Sequence, residues 1–187
     1  MGEVQYTIPE FIADLRRITA EADNEHDTLA KVAPLAKRAA LSPGWRHERM
    51  YTADAEQGFG PTVLHEEPDH SLLVVAASWL PARGAPPHDH GTWAIIVGVD
   101  GPERNVFWER IDDRSRPGYA EVRKRGEKVC DVGDVLIMPS GVIHSVVNET
   151  DRTTLSFHVY GKHFNHTNRY QYDPDKRTEM PLKVKTQ

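Results

Sequence analysis

The sequence predicts a mainly β protein, an antiparallel barrel or sandwich with helices at its N-terminal end. From about residue 60 onward, apolar and polar residues alternate with a period of two in many short segments. Turn-forming residues separate these segments, and no helical pattern lies between them. This arrangement argues against a parallel sheet, whose strands need helical crossovers. Only the first fifty residues have apolar positions at helical spacing.

Two helices are predicted before residue 50. The first covers Pro9–Ala22, with Thr7 as its N-cap, and its apolar residues recur at spacings of three and four. The second covers Asp27–Leu41 and ends at Ser42-Pro43-Gly44. Pro34 lies inside this second helix and is expected to kink it or to split it in two.

Eight strands are predicted in the remainder of the chain, each bounded by turn residues. They are Ser71–Trp79, Thr92–Val99, Asn105–Ile111, Tyr119–Arg125, Lys128–Val132, Asp134–Met138, Ile143–Asn148 and Thr153–Tyr160. The polar stretch after Tyr160 is expected to be a strap over the barrel with a loose end. We expect one domain over 1–187, with a helical extension over about 7–50, a β-barrel over about 60–170 and a tail over 171–187.

Composition and charge argue against several classes of partner. The 187 residues carry 23 basic and 28 acidic side chains, interspersed, with a net charge of -5 and no long basic run. Nucleic acid is therefore not expected as a partner. There is no apolar run long enough for a membrane span and no signal-peptide pattern, so we expect a cytoplasmic protein with no membrane partner. The single cysteine, Cys130, excludes an intrachain disulfide, and no pattern indicates an oligomeric state.

Three histidines are candidate metal ligands. His88 and His90 are two residues apart, a spacing that on a strand places both imidazoles on one face and Asp89 on the other. Alone, such a pair is weak evidence for metal binding, because paired surface histidines are common. The later segment from Gly133 through Pro139-Ser140-Gly141 to His144 and Asn148 resembles the second cupin motif. The resemblance implies a cupin fold, a double-stranded β-helix or jelly-roll barrel, with the three histidines inside it.

The chain departs from the usual cupin pattern at one ligand. Ala94 and Ile95 stand where many cupins carry a metal-binding glutamate. Three neutral imidazoles leave a divalent metal with its full charge and up to three open positions. Such a site could accept a thiolate, a second donor and O₂ together. Three histidines also suit zinc, as in hydratases, so the ligands alone leave the metal open.

The last predicted strand carries a row of polar side chains. Alternation places Ser156, His158 and Tyr160 on one face, which is either an exposed edge or part of a site. A three-histidine cupin followed by Ser-x-His-x-Tyr resembles the thiol dioxygenases, namely cysteine dioxygenase and 3-mercaptopropionate dioxygenase, over about Gly60 to Arg169. The resemblance implies Fe²⁺, which binds a small thiol substrate and O₂ and gives a sulfinic acid. It also implies that Tyr160 hydrogen-bonds in the iron site while His158 and Ser156 hold its hydroxyl.

Substrate-binding residues are expected at positions that depart from this family. Ile95 falls where mammalian cysteine dioxygenases have a crosslinked cysteine, and Thr62 falls where the family has a carboxylate-binding arginine or glutamine. Thr62 cannot pair with a carboxylate in a bidentate manner. Arg169 resembles an arginine near the pocket of the mercaptopropionate enzymes, the alternative being a solvated tail residue. Trp93 is expected to line the pocket or to pack.

The sequence thus predicts an iron-dependent thiol dioxygenase, with a mercapto acid preferred over free L-cysteine. The alternatives are another metal-dependent cupin enzyme, such as an isomerase or a carbon-bond-cleaving oxygenase, and a non-catalytic cupin that binds a small ligand. The remaining histidine pairs, His163 with His166 and His65 with His70, are expected to lie in solvated loops.

Overall fold

The computed structural model describes residues 5–186, which form helices at one end of the chain and strands over the rest. The α-helices are α1 (Ile8–Glu21) and α2 (Glu25–Leu41), and short 3₁₀ helices cover Glu48–Tyr51 and Phe164–His166. The strands are β1 (Phe59–Glu66), β2 (Leu73–Trp79), β3 (Gly84–His88), β4 (Ala94–Asp100), β5 (Glu103–Arg110), β6 (Val122–Cys130), β7 (Val135–Met138), β8 (Ile143–Val147), β9 (Thr154–Tyr160), β10 (Tyr170–Asp173) and β11 (Thr178–Pro181).

Both α-helices form where their capping residues and apolar faces predict them. Thr7 and Glu10 make a reciprocal capping box, in which the Thr7 backbone N–H donates to Glu10 at 2.8 Å. Asn24 caps α2 through the backbone N–H of Asp27. Pro34 lies inside α2 without splitting it, because the helix is held by the apolar face that it buries against α1 and the barrel.

The strands form a cupin barrel from two antiparallel sheets. The five-stranded sheet has the order β1-β2-β9-β4-β7, and the six-stranded sheet has the order β11-β10-β3-β8-β5-β6. This architecture confirms the predicted double-stranded β-helix with helices packed outside. Alternation along β2, β4 and β9 gives the five-stranded sheet two buried faces. One face packs on the helices, and the other faces the barrel interior, where Leu73, Ala94 and Tyr160 meet.

Several strand predictions were wrong in their bounds. The strands β1 and β3 were not predicted. The strand β6 joins two predicted strands through Gly126, because a bulge in β6 at Arg125, opposite Phe107 and Trp108 of β5, lets the pairing continue. The predicted loose tail instead forms the hairpin of β10 and β11, which joins the six-stranded sheet where Gln171 pairs with His88. Within residues 5–186, no helix combines the length and the apolar character that crossing a bilayer requires.

Candidate metal centre

Three buried histidines converge inside the barrel. His88 ends β3, His90 follows it, and His144 lies on β8 directly opposite His88 in the strand register. One ring nitrogen from each lies within 4.8 Å of the other two. The Nε2 atoms of His90 and His144 are 3.3 Å apart, a separation that one cation bound to both nitrogens would span. The group could therefore hold a metal ion.

The surroundings of these histidines suit a metal. The Nδ1–H groups of His88 and His144 donate to Pro86 O at 2.8 Å and to Asn105 Oδ1 at 3.0 Å, which fixes the tautomer and leaves both Nε2 lone pairs facing the cavity. Burial, followed by neighbouring positive groups, lowers the pKa of all three imidazoles, that of His144 to about 3. The neutral imidazole that results is the form that binds metals.

Among residues 5–186, no carboxylate joins this group of candidate ligands. Asp89 is turned away from the cavity, where it accepts hydrogen bonds from the Tyr172 hydroxyl at 2.7 Å and the Gly91 backbone N–H at 2.9 Å. Ala94, opposite Tyr160 in the strand register, faces the interior in its place. A divalent ion bound by these imidazoles would keep its full positive charge, and neutral ligands of this kind leave room for anionic substrate groups.

A row of hydrogen bonds on β9 leads to the three histidines. This strand lies between β2 and β4 rather than at a sheet edge, and Ser156, His158 and Tyr160 are all buried. Ser156 Oγ lies 2.8 Å from His158 Nε2, and His158 Nδ1 lies 2.8 Å from the Tyr160 hydroxyl. The Tyr160 ring meets the His90 ring edge-on, with centroids 5.1 Å apart. Burial raises the pKa of Tyr160 and lowers that of His158 to about 3, so both are neutral near pH 7.

A buried carboxyl, Glu103, stands at the far end of this row and was missed in the sequence. It accepts a hydrogen bond from the Thr154 hydroxyl at 3.1 Å, and it also interacts with the Ser156 hydroxyl. Burial raises the pKa of Glu103 to about 8. The signal that could have revealed it is alternation along β5, which turns Glu103 and Asn105 toward the interior.

The protonation of Glu103 decides the direction of the hydrogen bonds. Ser156 Oγ accepts the indole N–H of Trp79 at 3.1 Å, so its single hydrogen goes either to His158 or to Glu103. When Glu103 is protonated, Ser156 is free to donate to His158, and His158 Nδ1–H donates to Tyr160. The Tyr160 hydrogen is then left to donate into the cavity. An ionised Glu103 would instead accept the Ser156 hydrogen. His158 Nε2–H would then donate to Ser156, and the Tyr160 hydroxyl would donate to His158 Nδ1.

Replacing Glu103 with Gln should remove a pH dependence of stability. The folded state raises the pKa of Glu103 from 4.5 to about 8, so it binds more protons than the unfolded state in that window. The stability of the wild type relative to Glu103→Gln should therefore fall as pH rises from 4.5 to about 8, at about 1.4 kcal/mol per pH unit, because the buried histidines contribute equally to both proteins. Urea unfolding of both proteins between pH 5 and 9 checks this, with the exposed Glu127→Gln as control. Parallel curves for wild type and Glu103→Gln would contradict it.

Arg169 lies in the wall of the cavity that the three histidines line. It is only 5% exposed, and its guanidinium stands 5.2 Å from the Phe164 ring centre. Among residues 5–186 its Nε has no hydrogen-bond partner and its guanidinium makes no ion pair within 4.0 Å, although the Asp89 carboxylate acts on its charge at longer range. Burial lowers the pKa of Arg169, yet a guanidinium keeps its charge near neutral pH. A buried cation beside three neutral imidazoles therefore favours an anionic ligand in this cavity.

Two predicted substrate-binding residues do not line the cavity. Thr62 pairs in register with Ala76, which packs on the helices, and Pro61 lines the cavity instead. Trp93 also packs on the helix side, where a Cβ added to Gly161 would come within 2.3 Å of its indole nitrogen. Ile95 likewise faces the helices. Neighbouring residues of a strand point to opposite faces of the sheet. A position inferred from sequence spacing in a resembling family can therefore fall on the helix-facing side although a cavity-facing residue was expected.

Comparison with known proteins gives similarity of fold alone. No family model matches the chain. Recombinant oxalate oxidase in complex with glycolate is 17% identical with a TM-score of 0.44, and the match covers 63% of this chain and 56% of that one. A Cupin 2 conserved barrel domain protein from Salinispora arenicola CNS-205 is 16% identical, with a TM-score of 0.42 and coverage of 64% and 88%. A double-stranded beta-helix domain protein from Klebsiella pneumoniae is 12% identical, with a TM-score of 0.44 and coverage of 75% and 99%. The chain spans little more than half of the oxalate oxidase chain.

Proposed function

We propose that this protein is an iron-dependent thiol dioxygenase that oxidises a small mercapto acid to its sulfinic acid with O₂. One observation carries the proposal. The hydrogen-bonded row from Ser156 to Tyr160 ends in the same cavity as the three histidines and the unpaired Arg169. The cavity thus combines a neutral metal-binding group, a phenolic donor and a buried cation.

The reaction balances without an external reductant. A thiol and O₂ give a sulfinic acid, with both oxygen atoms on sulfur, which loses the four electrons that O₂ gains. Iron held by His88, His90 and His144 would supply the redox chemistry that joins these two reactants. Its neutral ligands favour an anionic thiolate, because they offset none of the metal charge.

The chain's own residues bind and orient the substrate. The Arg169 guanidinium can hold the carboxylate of a mercapto acid through a charge-assisted, bidentate pair. The Tyr160 hydroxyl donates a hydrogen bond where negative charge develops on the reacting oxygen atoms. Apolar walls reduce the access of water and strengthen both interactions. These walls are formed by Phe59, Val75, Ala77, Trp79, Phe164 and Val184.

We further propose that the protein acts as one domain on free small molecules in the cytoplasm, without nucleic acid or membrane partners. The interspersed charges and net charge of -5 support this proposal. Another metal-dependent cupin enzyme or a non-catalytic binding cupin would use the same three histidines. Neither alternative needs a buried phenol held by a hydrogen-bonded row such as Ser156, His158 and Tyr160, and this row therefore favours the dioxygenase.

The direct test is iron loading followed by oxygen uptake across a panel of thiols. We expect 3-mercaptopropionate and related mercapto acids to consume O₂ and to yield sulfinate in a one-to-one ratio. L-Cysteine should be a poorer substrate. Iron-loaded protein that consumes no O₂ with any thiol would exclude the dioxygenase proposal and leave the two alternative cupin classes.

Tyr160→Phe should retain iron but lose turnover. Removing one oriented donor at a developing charge costs of order ten- to a thousand-fold in rate. Loss of coupling, in which O₂ is consumed without sulfinate, would have the same cause. Turnover and the ratio of sulfinate to O₂ are measured together, with Tyr172→Phe as the matched control, because that buried hydroxyl donates to Asp89. Unchanged turnover and coupling in Tyr160→Phe would exclude the proposed role.

A further inference from the structure

A second group of potential metal ligands lies outside the barrel cavity. We define the surface histidine cluster as Glu66, His70, His163 and His166. Glu66 ends β1, His70 lies in the turn before β2, and the other two flank Phe164 after β9. One ligand atom from each of Glu66, His70 and His166 lies within 4.8 Å of the others. The pairs His163/His166 and His65/His70 were expected to lie in solvated loops. His163 is instead buried, and the fold brings His70 to both His163 and His166.

The contacts within the cluster arrange its donors closely. His70 Nδ1 lies 2.5 Å from Glu66 Oε1, and the His70 and His166 rings stack at 14° with centroids 3.5 Å apart, so the exposed His166 ring has to turn to direct its lone pair at an ion shared with the other two. His163 Nδ1 accepts the Asn165 backbone N–H, so its Nε2 bears the proton and faces Glu66 Oε1 at 3.9 Å. His163 therefore lies beside the carboxylate without a hydrogen bond to it, and the three remaining side chains are the candidate ligands.

The backbone holds these donors in place. His70 has a φ of 63°, a left-handed conformation that a non-glycine residue adopts only when its surroundings impose it. The His163 backbone N–H donates to His70 O at 2.9 Å, which ties the turn to the segment after β9. The cluster is therefore a junction between two segments that are distant in sequence.

The ligand set selects a class of metal. Two imidazoles and one carboxylate bind zinc and neighbouring transition metals, whereas Ca²⁺ and Mg²⁺ prefer oxygen ligands alone. His166 is exposed and Glu66 and His70 are partly so, which leaves access for a water as the fourth ligand. The structure thus distinguishes this cluster from the enclosed barrel centre.

We propose that Glu66, His70 and His166 form a second site for a divalent ion of the zinc class, which clamps the segment from His163 to Arg169. This segment carries Phe164 and Arg169 of the cavity wall. Its Thr167 hydroxyl donates to His90 O at 2.8 Å. An ion at the surface site would restrain that wall from outside. The inference does not depend on the proposed thiol oxidation.

The experiment counts metal ions on untagged, metal-stripped protein. Equilibrium dialysis against Zn²⁺ should give two ions per wild-type chain and one per chain in His166→Ala or in Glu66→Gln. Affinity for the second ion should weaken at least about tenfold, as expected when a ligand is removed. His65→Ala is the matched control, because His65 lies beside the cluster but contacts Glu67 instead, and it should still bind two ions.

A second measurement tests whether an ion at the surface site stabilises the fold. Zn²⁺ should raise the thermal midpoint of His144→Ala, whose barrel centre is disabled, and should not raise that of a His144→Ala/His166→Ala double variant. One zinc ion per wild-type chain, unaffected by His166→Ala, would overturn the proposal. Two ions in both wild type and His166→Ala would overturn it as well, because the second ion would then bind elsewhere.

Discussion

His144→Ala is expected to bind no iron in the barrel and to show no thiol-dependent oxygen uptake. Removing His144 leaves two imidazoles in a buried cavity to which the described part of the chain contributes no carboxylate that could replace it. Each ligand of a three-histidine site contributes a substantial part of the affinity, since removing even an outer partner costs 10- to 100-fold. Iron is measured after loading and desalting, in the His166→Ala background so that ions at the surface site are not counted.

The control for this prediction is His166→Ala alone, which should retain one iron per chain and its activity. The fold of His144→Ala is checked by circular dichroism, because a buried histidine also packs. Stoichiometric iron in a folded His144→Ala/His166→Ala protein would show that the barrel histidines are not the metal ligands. The metal-centre assignment would then fail together with the dioxygenase proposal.

Arg169→Met is expected to raise KM for mercapto acids by at least about 100-fold. Binding 3-mercaptopropionate in the cavity buries a carboxylate, and burying an unpaired charge costs several kcal/mol. A loss of about 2.7 kcal/mol corresponds to 100-fold in affinity. Methionine keeps much of the length and packing of the side chain against Phe164 while removing the charge.

The substrates themselves supply the control for this second prediction. The KM for 2-mercaptoethanol, which has no carboxylate, should change only a few-fold in Arg169→Met. The KM for cysteamine should stay the same or fall, because Arg169 repels its ammonium group. Arg104→Met is the matched control variant, since Arg104 pairs with Glu127 and Glu149 at the surface. If the wild type prefers 2-mercaptoethanol and Arg169→Met leaves KM for mercapto acids unchanged, the carboxylate hypothesis is wrong.

Local patterns in the sequence were sufficient for the fold class and for the residues that share a face. Spacings of three and four predicted α1, and alternation placed Ser156, His158 and Tyr160 together on one side of β9. These features depend on the 3.6-residue and two-residue periods of the backbone, which are local properties. The three barrel histidines were predicted by motif, and the structure places them within 4.8 Å of one another.

Tertiary structure alone decided which residues reach the cavity. Arg169, predicted either near the pocket or in a solvated tail, lies just before β10, whose pairing with β3 at His88 brings it into the wall. Thr62 and Trp93 face the helices instead, because a displacement of one residue along a strand exchanges its two faces. The contact of Glu103 with Ser156 on β9 joins segments that are far apart in sequence, and so does the stacking of His70 on His166. Contacts of this kind depend on strand register and loop closure, which periodicity within one segment cannot determine.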